Sequence, residues 1–321
     1  MQDEAQVIAA IVDAAGRVRP GYSSIGDDVG VSPVQGRSLV TKVDMLVEST
    51  DVPRGMTYRE AARKAVAMCV SDFAAKGVRP TSFMVSLGLR RGTTSKQVQE
   101  IGAGIRDAEN EWGLVLVGGD TNESAELVID CAMFGFASDL VKRGGAAPGD
   151  ALVVSGPFGY ESAGLRILLA GSKASRSFAK VATRRVLRPT PNLEAGLALA
   201  PFLTSSMDSS DGLARSLHVL ASESGVGFEL DALPEGNGVR AFAEANGLSA
   251  ERLVLEGGEE YVIVGTVRPR NLRRAREAAR VAGADLTLIG RATPQEGRVD
   301  LLSRGRRTRV RDEGWTHLRR G

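Results

Sequence analysis

The feature that most constrains the fold is an alternation of strand and helix patterns, which is interrupted once near the middle of the chain. A strand pattern over 38–47 is followed by a helix pattern over 57–76, and further alternating segments follow. Such alternation is typical of α/β proteins, in which helices cover a sheet. The turn-rich stretch 142–150 breaks the pattern. The sequence therefore predicts two α/β halves, an N-terminal domain over 1–140 and a C-terminal domain over 149–321.

Local signals indicate where several elements begin and end. Thr57 and Glu60 form a capping-box pattern that opens the first long helix, and Gly77 is a favourable residue at its end. Thr94 and Gln97 repeat the opening pattern in the next helix. The remaining predictions are strands over 83–89, 114–117, 127–137, 151–155, 261–267 and 286–289, and helices over 94–112, 193–203, 211–224 and 268–282.

Composition narrows the classes of function. The 321 residues include 41 basic and 39 acidic side chains, and this near-balance gives no overall field that would attract nucleic acid or an acidic membrane. With two cysteines and two histidines, a zinc site of four Cys or His ligands is not expected, so a bound metal would be held by oxygen. The polar first residues and the lack of a long apolar run predict a cytoplasmic protein.

Aspartates occupy an unusual set of places, because they follow glycines or end apolar strands. At such a place a carboxylate and nearby carbonyl oxygens can meet at one point, which suits a hard cation such as Mg²⁺. For one aspartate alone, a turn or a helix cap is the simpler interpretation. Their recurrence in both halves of the chain favours metal binding. The candidate ligands are Asp28, Asp44, Asp72, Asp120, Asp208 and Asp211.

Asp72 carries the most information of the six. It lies in a helix pattern made of small and apolar residues, beside Cys69 and Phe73. A carboxylate in such surroundings is costly unless it is paired or bound to a metal. A salt bridge to Lys64 or Lys76 is the structural alternative, and Lys76 has the helical i, i+4 spacing.

Two glycine-containing segments supply further candidates. The helix that starts within 207–213 can bind phosphate through the free N–H groups of its first turn. Ser210 or Asp211 could cap this helix, so Asp208 is an additional acid that capping does not need, which favours binding of a metal or a nucleotide. In the turn 256–261, paired acids precede a strand and can contact a cationic group of a substrate. A G-x-x-x-x-G-K-[ST] phosphate loop does not occur in the sequence.

These motifs, in this order, resemble those of the thiamine-monophosphate kinase family. The family belongs to a superfamily with aminoimidazole ribonucleotide synthetase, selenophosphate synthetase and a hydrogenase-maturation dehydratase. The segment 48–53 resembles archaeal-type members. The segments that carry the resemblance are Gly26–Asp28, Val43–Met45, Ser71–Gly77, Gly118–Thr121, Arg143–Asp150, Asp208–Leu213, Ser224–Gly227 and Gly257–Tyr261.

The resemblance implies a two-domain aminoimidazole ribonucleotide synthetase-like fold, whose N-terminal sheet pairs across a homodimer and whose C-terminal domain is α/β. ATP would lie between the domains, and the six aspartates would hold Mg²⁺. Gly119, Asp120, Arg143 and Ser210 match the positions of ATP contacts. Asp51, Glu259 and Trp315 match the positions of contacts to thiamine monophosphate.

The implied reaction is ATP-dependent phosphorylation of thiamine monophosphate to thiamine diphosphate, a step of thiamine diphosphate biosynthesis. No residue is expected to act as a general base, because the acceptor phosphate, with a second pKa of about 6, is largely ionised at neutral pH. Four positions depart from the family pattern. Lys42 and Val43 stand where Ser or Thr is usual, Asp51 stands where many members have histidine, and Glu260 replaces an aspartate.

Two other interpretations of the motifs stay open at this point. One is a different ATP-dependent synthetase or dehydratase of the same superfamily, which would activate an oxygen of another substrate. The second is a protein that senses a nucleotide or a thiamine phosphate without catalysis, which the departures at Lys42, Val43 and Asp51 motivate.

Overall fold

A computed structural model describes residues 4–15, 26–303 and 305–316. The strands are β1 Gly30–Val34, β2 Arg37–Val47, β3 Pro80–Leu89, β4 Val115–Glu123, β5 Val128–Ala137, β6 Ala151–Val154, β7 Leu203–Ser209, β8 Gly227–Leu230, β9 Val262–Val267, β10 Thr287–Thr293, β11 Val299–Ser303 and β12 Arg306–Arg309. The helices are α1 Glu4–Ala15, α2 Glu48–Asp51, α3 Tyr58–Lys76, α4 Ser95–Trp112, α5 Tyr160–Ala170, α6 Arg176–Leu187, α7 Leu193–Leu199, α8 Leu213–Ser224, α9 Val239–Ala245, α10 Ala250–Leu255 and α11 Leu272–Val281.

The N-terminal half is built on a mixed sheet of five strands in the order β1-β2-β5-β3-β4. The strands β2 and β5 pair antiparallel, and β3 and β4 pair parallel. The helices α3 and α4 pack on one face, where Val40, Phe83 and Met133 are buried. The opposite face, here called the outward face, exposes apolar side chains, and β4 forms an edge. These side chains are Val43, Met45, Met84 and Phe136.

The C-terminal half is built on a mixed sheet of seven strands in the order β12-β11-β8-β10-β6-β9-β7. Its pairs are antiparallel except for β8 with β11. Because side chains alternate along a strand, Leu152 and Val154 face a core formed with α5, α8, α9 and α10. Val153 faces the other side, where α7 and α11 cover the sheet. The two-sheet α/β architecture agrees with the predicted fold class.

Helix α3 joins the two sheets. Fifteen of its 19 residues are buried, because β2 and β5 lie on one side of it while α7, β7 and β9 lie on the other. A helix that is apolar on all sides is expected in such a place. A Cβ atom at Gly196 of α7 would collide with the Ala74 carbonyl of α3, so glycine permits this close approach. The core around α3 includes Leu193 and Ile263 from the C-terminal half.

The capping signals are confirmed at both long helices. Thr57 and Glu60 form the capping box of α3, and Thr94 and Gln97 form that of α4. Other expected boundaries are wrong: the strand predicted over 114–117 continues to Glu123, and two helices differ from their predicted limits. The helix predicted over 193–203 ends at Leu199, because the chain turns there and continues into β7.

The second of these helices is the one predicted from residue 211. Helix α8 begins at Leu213 with Gly212 as its N-cap, and no side chain caps it, so neither Ser210 nor Asp211 has that role. The positive φ of 108° at Gly212 turns the chain into the helix. The domain limits 1–140 and 149–321 stay a prediction. Within the ranges that the structure describes, no helix combines the length and apolar character that a bilayer span needs.

Candidate active site

Three buried carboxylates from distant parts of the sequence converge beside α3. Asp28 precedes β1, Asp72 lies within α3 and Asp208 ends β7. One carboxylate oxygen from each lies within 4.8 Å of those of the other two. The Ser71 hydroxyl donates to Asp208 Oδ2 at 2.9 Å and fixes that side chain. The structure thus brings together three of the six predicted ligands, which we call the acid cluster.

Three cationic side chains surround the acid cluster. Lys76 Nζ lies 2.8 Å from Asp28 Oδ2 and 2.6 Å from Asp27 Oδ1, and it donates to the Ser206 carbonyl at 2.7 Å. Arg143 donates through Nε to Asp28 Oδ1 at 2.6 Å. Because Lys76 comes from α3 and its carbonyl partner comes from β7, the charges also tie the two sheets together.

The third cation is Lys42 of β2, and it is the ion-pair partner of Asp72. Lys42 Nζ lies 3.0 Å from Asp72 Oδ2 and 3.3 Å from Asp44 Oδ1. The alternative pairing of Asp72 with Lys64 or Lys76 is wrong, since both of those lysines are engaged elsewhere. Helical i, i+4 spacing could not predict this ion pair, because Lys42 comes from a neighbouring strand and not from α3.

Burial and mutual repulsion control the protonation of the acid cluster. Burial raises the pKa of Asp208 to about 7, and the carboxylate of Asp28 adds to the rise. Burial also raises the pKa of Asp72 well above its usual range, although Lys42 opposes this. For Lys42, burial alone would lower the pKa, but Asp72 and Asp44 outweigh it and raise the pKa well above normal. The cluster therefore holds protons that a bound cation would displace.

The other three predicted ligands lie outside the acid cluster. Asp44 is linked to it through Lys42. Asp120 pairs with Ser86 across β3 and β4, and this register places it on the outward face, away from α3. Gly119 faces the other way, and a Cβ atom there would collide with the Val85 carbonyl, so its glycine serves strand packing. Asp211 lies three residues after Asp208, and its backbone carbonyl accepts from the Trp315 backbone N–H at 3.0 Å.

A second group of predicted residues meets around Lys64, and we call it the Lys64 cluster. Lys64 is fully buried, donates to the Asp51 carbonyl at 2.8 Å and forms an ion pair with Glu259. The Asp51 carboxylate accepts from the Val47 N–H at 2.7 Å and so stabilises the turn of chain over 47–51. Sequence reasoning named Asp51 and Glu259 as site residues but considered Lys64 only as a possible partner of Asp72, although a lysine within an apolar helix was an available signal.

The predicted nucleotide and substrate contacts of the C-terminal half lie next to Glu259. The Glu259 N–H donates to the Ser210 carbonyl at 2.7 Å. Glu259 and Tyr261 both have positive φ values, 69° and 51°, which are uncommon for residues with a side chain. Trp315 is 53% exposed. Backbone hydrogen bonds thus join Glu259 to Ser210 and Trp315 to the neighbouring Asp211.

Two further acids are buried close to each other, Glu260 in the turn 256–261 and Glu161 in α5. Neither carboxylate oxygen of Glu260 has a hydrogen-bond partner within the described part of the chain. Burial and the nearby Glu161 raise its pKa well above normal. Burial likewise raises the pKa of Glu161 to about 7, although it pairs with Arg185 at 3.2 Å. Sequence reasoning named Glu260 as a departure from the family pattern but did not single out Glu161.

The residues of the acid cluster fit a divalent cation. Two oxygens bound to one Mg²⁺ at about 2.1 Å are at most about 4.2 Å apart. The observed spread, within 4.8 Å, needs only small side-chain movements to reach that range. All three ligands are carboxylates, which Mg²⁺, Mn²⁺ and Ca²⁺ prefer.

Comparison with known proteins agrees with the motifs. The AIR synthase related protein family matches in two parts, its N-terminal domain over residues 26–137 and its C-terminal domain over 147–301. The thiamine-monophosphate kinase of Nitrosopumilus maritimus (strain SCM1) is 38% identical over 283 residues, which cover 88% of this chain and 90% of the relative. That of Pyrococcus horikoshii is 34% identical over 93% of this chain and 92% of the relative.

This chain belongs to the thiamine-monophosphate kinase family. The membership confirms the resemblance inferred from the motifs, and both of these relatives are archaeal, as the segment 48–53 predicted. A solved structure of AaThiL complexed with AMPPCP and TMP superposes with a TM-score of 0.86 at 28% identity. The match covers 98% of this chain and 97% of that one. The kinase family fold therefore extends over nearly the entire chain.

The raised pKa of Asp208 predicts a pH-dependent stability for this family member. In the metal-free protein, the folded state binds a proton at Asp208 more tightly than the unfolded state does. Its contribution to the free energy of unfolding therefore falls as pH rises from 3.8 to about 7. Relative to Asp208→Asn, the wild type should lose on the order of 1–3 kcal/mol between pH 5 and pH 8. Urea unfolding with a chelator at both pH values measures this difference.

Excess Mg²⁺ should remove most of that loss at pH 8, because the cation replaces the proton. The matched control is Asp285→Asn, an exposed aspartate whose replacement should leave the pH profile parallel to that of the wild type. If the free energy of unfolding depended on pH in the same way in the wild type and in Asp208→Asn, the raised pKa of Asp208 would be contradicted.

Proposed function

We propose that this protein transfers the γ-phosphoryl group of ATP to the phosphate of thiamine monophosphate, giving thiamine diphosphate and ADP. The observation that carries the proposal is the acid cluster, three buried carboxylates held together in a member of this kinase family. The AaThiL relative was solved with AMPPCP and TMP, a nucleotide analogue and the acceptor, and we extend that pair of ligands to this chain.

The difficulty of this reaction is to bring two polyanions together. The acid cluster would hold Mg²⁺ through Asp28, Asp72 and Asp208, with Asp44, Asp120 and Asp211 as further contacts. Bound Mg²⁺ neutralises phosphate charge and stabilises the charge of the transition state. Arg143 lies at the rim of the cluster with its side chain 22% exposed, so its guanidinium can also reach a phosphate oxygen. Ser210, Gly119 and Asp120 complete the proposed ATP contacts.

The acceptor side is formed by the Lys64 cluster. Lys64 holds the Glu259 carboxylate in place, and Glu259 can then pair with a cationic part of thiamine monophosphate. The exposed ring of Trp315 offers a flat surface for a heteroaromatic ring, and Asp51 closes the neighbouring loop. The acceptor phosphate is already ionised, so these residues orient it and none removes a proton.

We further propose that two copies pair through the outward face of the N-terminal sheet. Val43 and Met45 on this face are more than half exposed, and β4 leaves its backbone edge open. An apolar face and an open edge together favour association. Asp120 lies on the same face, so its contact with metal and nucleotide belongs to the paired arrangement.

Dimer formation predicts a specific effect of charge on this face. Met84→Glu places a carboxylate on the outward face and should shift the sedimentation coefficient from that of a dimer to that of a monomer. The matched control is Val281→Glu, because Val281 is 75% exposed at the end of α11, away from the N-terminal sheet. A wild type that sediments as a monomer at micromolar concentration would refute the proposal.

The reaction itself is tested by incubating the protein with Mg²⁺, ATP and thiamine monophosphate and separating the products. Thiamine diphosphate and ADP should form in equal amounts. Asp72→Asn and Asp120→Asn should each lower kcat at least about 100-fold, because each removes a metal ligand, while circular dichroism stays unchanged. Asp285→Asn should keep wild-type turnover.

The same assay separates the alternatives. ATP consumption with formylglycinamidine ribonucleotide, and none with thiamine monophosphate, would favour a synthetase of the superfamily. Binding of ATP without consumption in the presence of either acceptor would favour a sensor. Near-normal turnover in both aspartate variants would reject the metal-site assignment.

A further inference from the structure

Lys42 occupies an unusual position between two carboxylates that come from different elements. It extends from β2 towards α3, and its Nζ lies 3.3 Å from Asp44 Oδ1 and 3.0 Å from Asp72 Oδ2. Asp72 is itself a member of the acid cluster. The ammonium group therefore lies at the place where a cation shared by Asp44 and Asp72 would be found.

The charges around this point explain why a cation is needed there. Five carboxylates lie close together: Asp27, Asp28, Asp44, Asp72 and Asp208. Three cations face them, namely Lys42, Lys76 and Arg143. Once a bound cation has displaced the protons and all five carboxylates are ionised, five negative charges against three positive charges leave minus two, which one divalent ion balances. Without Lys42 the excess would be minus three, which calls for more metal charge.

Lys76 also pairs with two carboxylates, but it differs from Lys42 in its burial. The Lys76 side chain is completely buried and contacts protein oxygens of Asp27, Asp28 and the Ser206 carbonyl. The Lys42 side chain is 21% exposed and lies on the Asp44 side of the acid cluster. Lys76 thus ties the two sheets together, whereas Lys42 stands at the accessible side of the carboxylates.

We infer that the Lys42 ammonium takes the place of one divalent cation between Asp44 and Asp72, so that this chain binds one metal ion fewer than its carboxylates would otherwise hold. The inference rests on the proposed function, since it concerns the metal site of that reaction. An ammonium is a compact point charge with three donors, and it can satisfy two carboxylates without a coordination shell. Lys42 acts as a positioning residue, because its ion pairs hold Asp44 and Asp72 together.

The test counts metal ions in the intact protein. Equilibrium dialysis with Mn²⁺ and saturating AMPPCP gives the number bound per chain for the wild type, Lys42→Gln and Lys42→Arg. Lys42→Gln should bind one additional Mn²⁺, and Lys42→Arg should match the wild type because it keeps the charge. Adding Asp44→Asn to Lys42→Gln should remove the additional ion. Lys96→Gln, an exposed lysine of α4, is the matched control and should not change the count.

Thermal unfolding with a chelator gives a second readout that does not depend on activity. Lys42→Gln should have a lower Tm than the wild type, and Mn²⁺ should raise its Tm by more than it raises that of the wild type. The double variant of Lys42→Gln with Asp44→Asn restores the wild-type charge balance, so its Tm without metal should return towards the wild-type value. An equally low Tm in the double variant would show that Lys42 contributes packing instead, and would overturn the inference.

The outcomes distinguish this inference from the proposed function. If Asp72→Asn loses Mn²⁺ relative to the wild type while Lys42→Gln binds the same number as the wild type, the metal site stands and the role of Lys42 is refuted. If neither the wild type nor Lys42→Gln binds Mn²⁺ beyond what AMPPCP alone binds, both are refuted. A gain of one ion in Lys42→Gln supports the inference.

Discussion

The structure depends on holding like charges together at a place where water is scarce. Asp28, Asp72 and Asp208 would repel one another, and burial raises the pKa of Asp72 and Asp208. Helix α3 makes the arrangement possible, because it packs against both sheets and supplies Asp72 as well as Lys76. A buried carboxylate without a partner costs several kcal/mol, so each cation beside the cluster offsets part of that cost. The same excess of negative charge creates affinity for a divalent ion.

Much of the fold followed from local sequence signals, and the exceptions have physical causes. The capping boxes before α3 and α4 and the glycines after them fix both helices, so their limits were predicted closely. Strand β7 was missed because Ser205 and Ser206 are both buried in it, which hides the usual alternation. Strand β12 was missed because its arginines, such as Arg307, are exposed and have the composition of a charged loop, and its partner β11 was missed with it.

The site was predicted in part for a similar reason. Aspartates beside glycines or strand ends gave the candidate ligands, and three of them meet in the acid cluster. The side on which Asp120 falls depends on the register of β4 against β3, and a bulge between Phe83 and Met84 shifts that register. The pairing of Lys42 with Asp72 depends on how β2 lies beside α3. Neither relation can be obtained from spacing along one segment.

The most direct test of the account is an anomalous diffraction measurement on crystals grown with Mn²⁺, AMPPCP and thiamine monophosphate. The account predicts an anomalous peak in contact with carboxylate oxygens of Asp28, Asp72 and Asp208 and with the nucleotide phosphates. Manganese peaks on the phosphates alone, with the three carboxylates still paired only to lysine, arginine and serine, would contradict it.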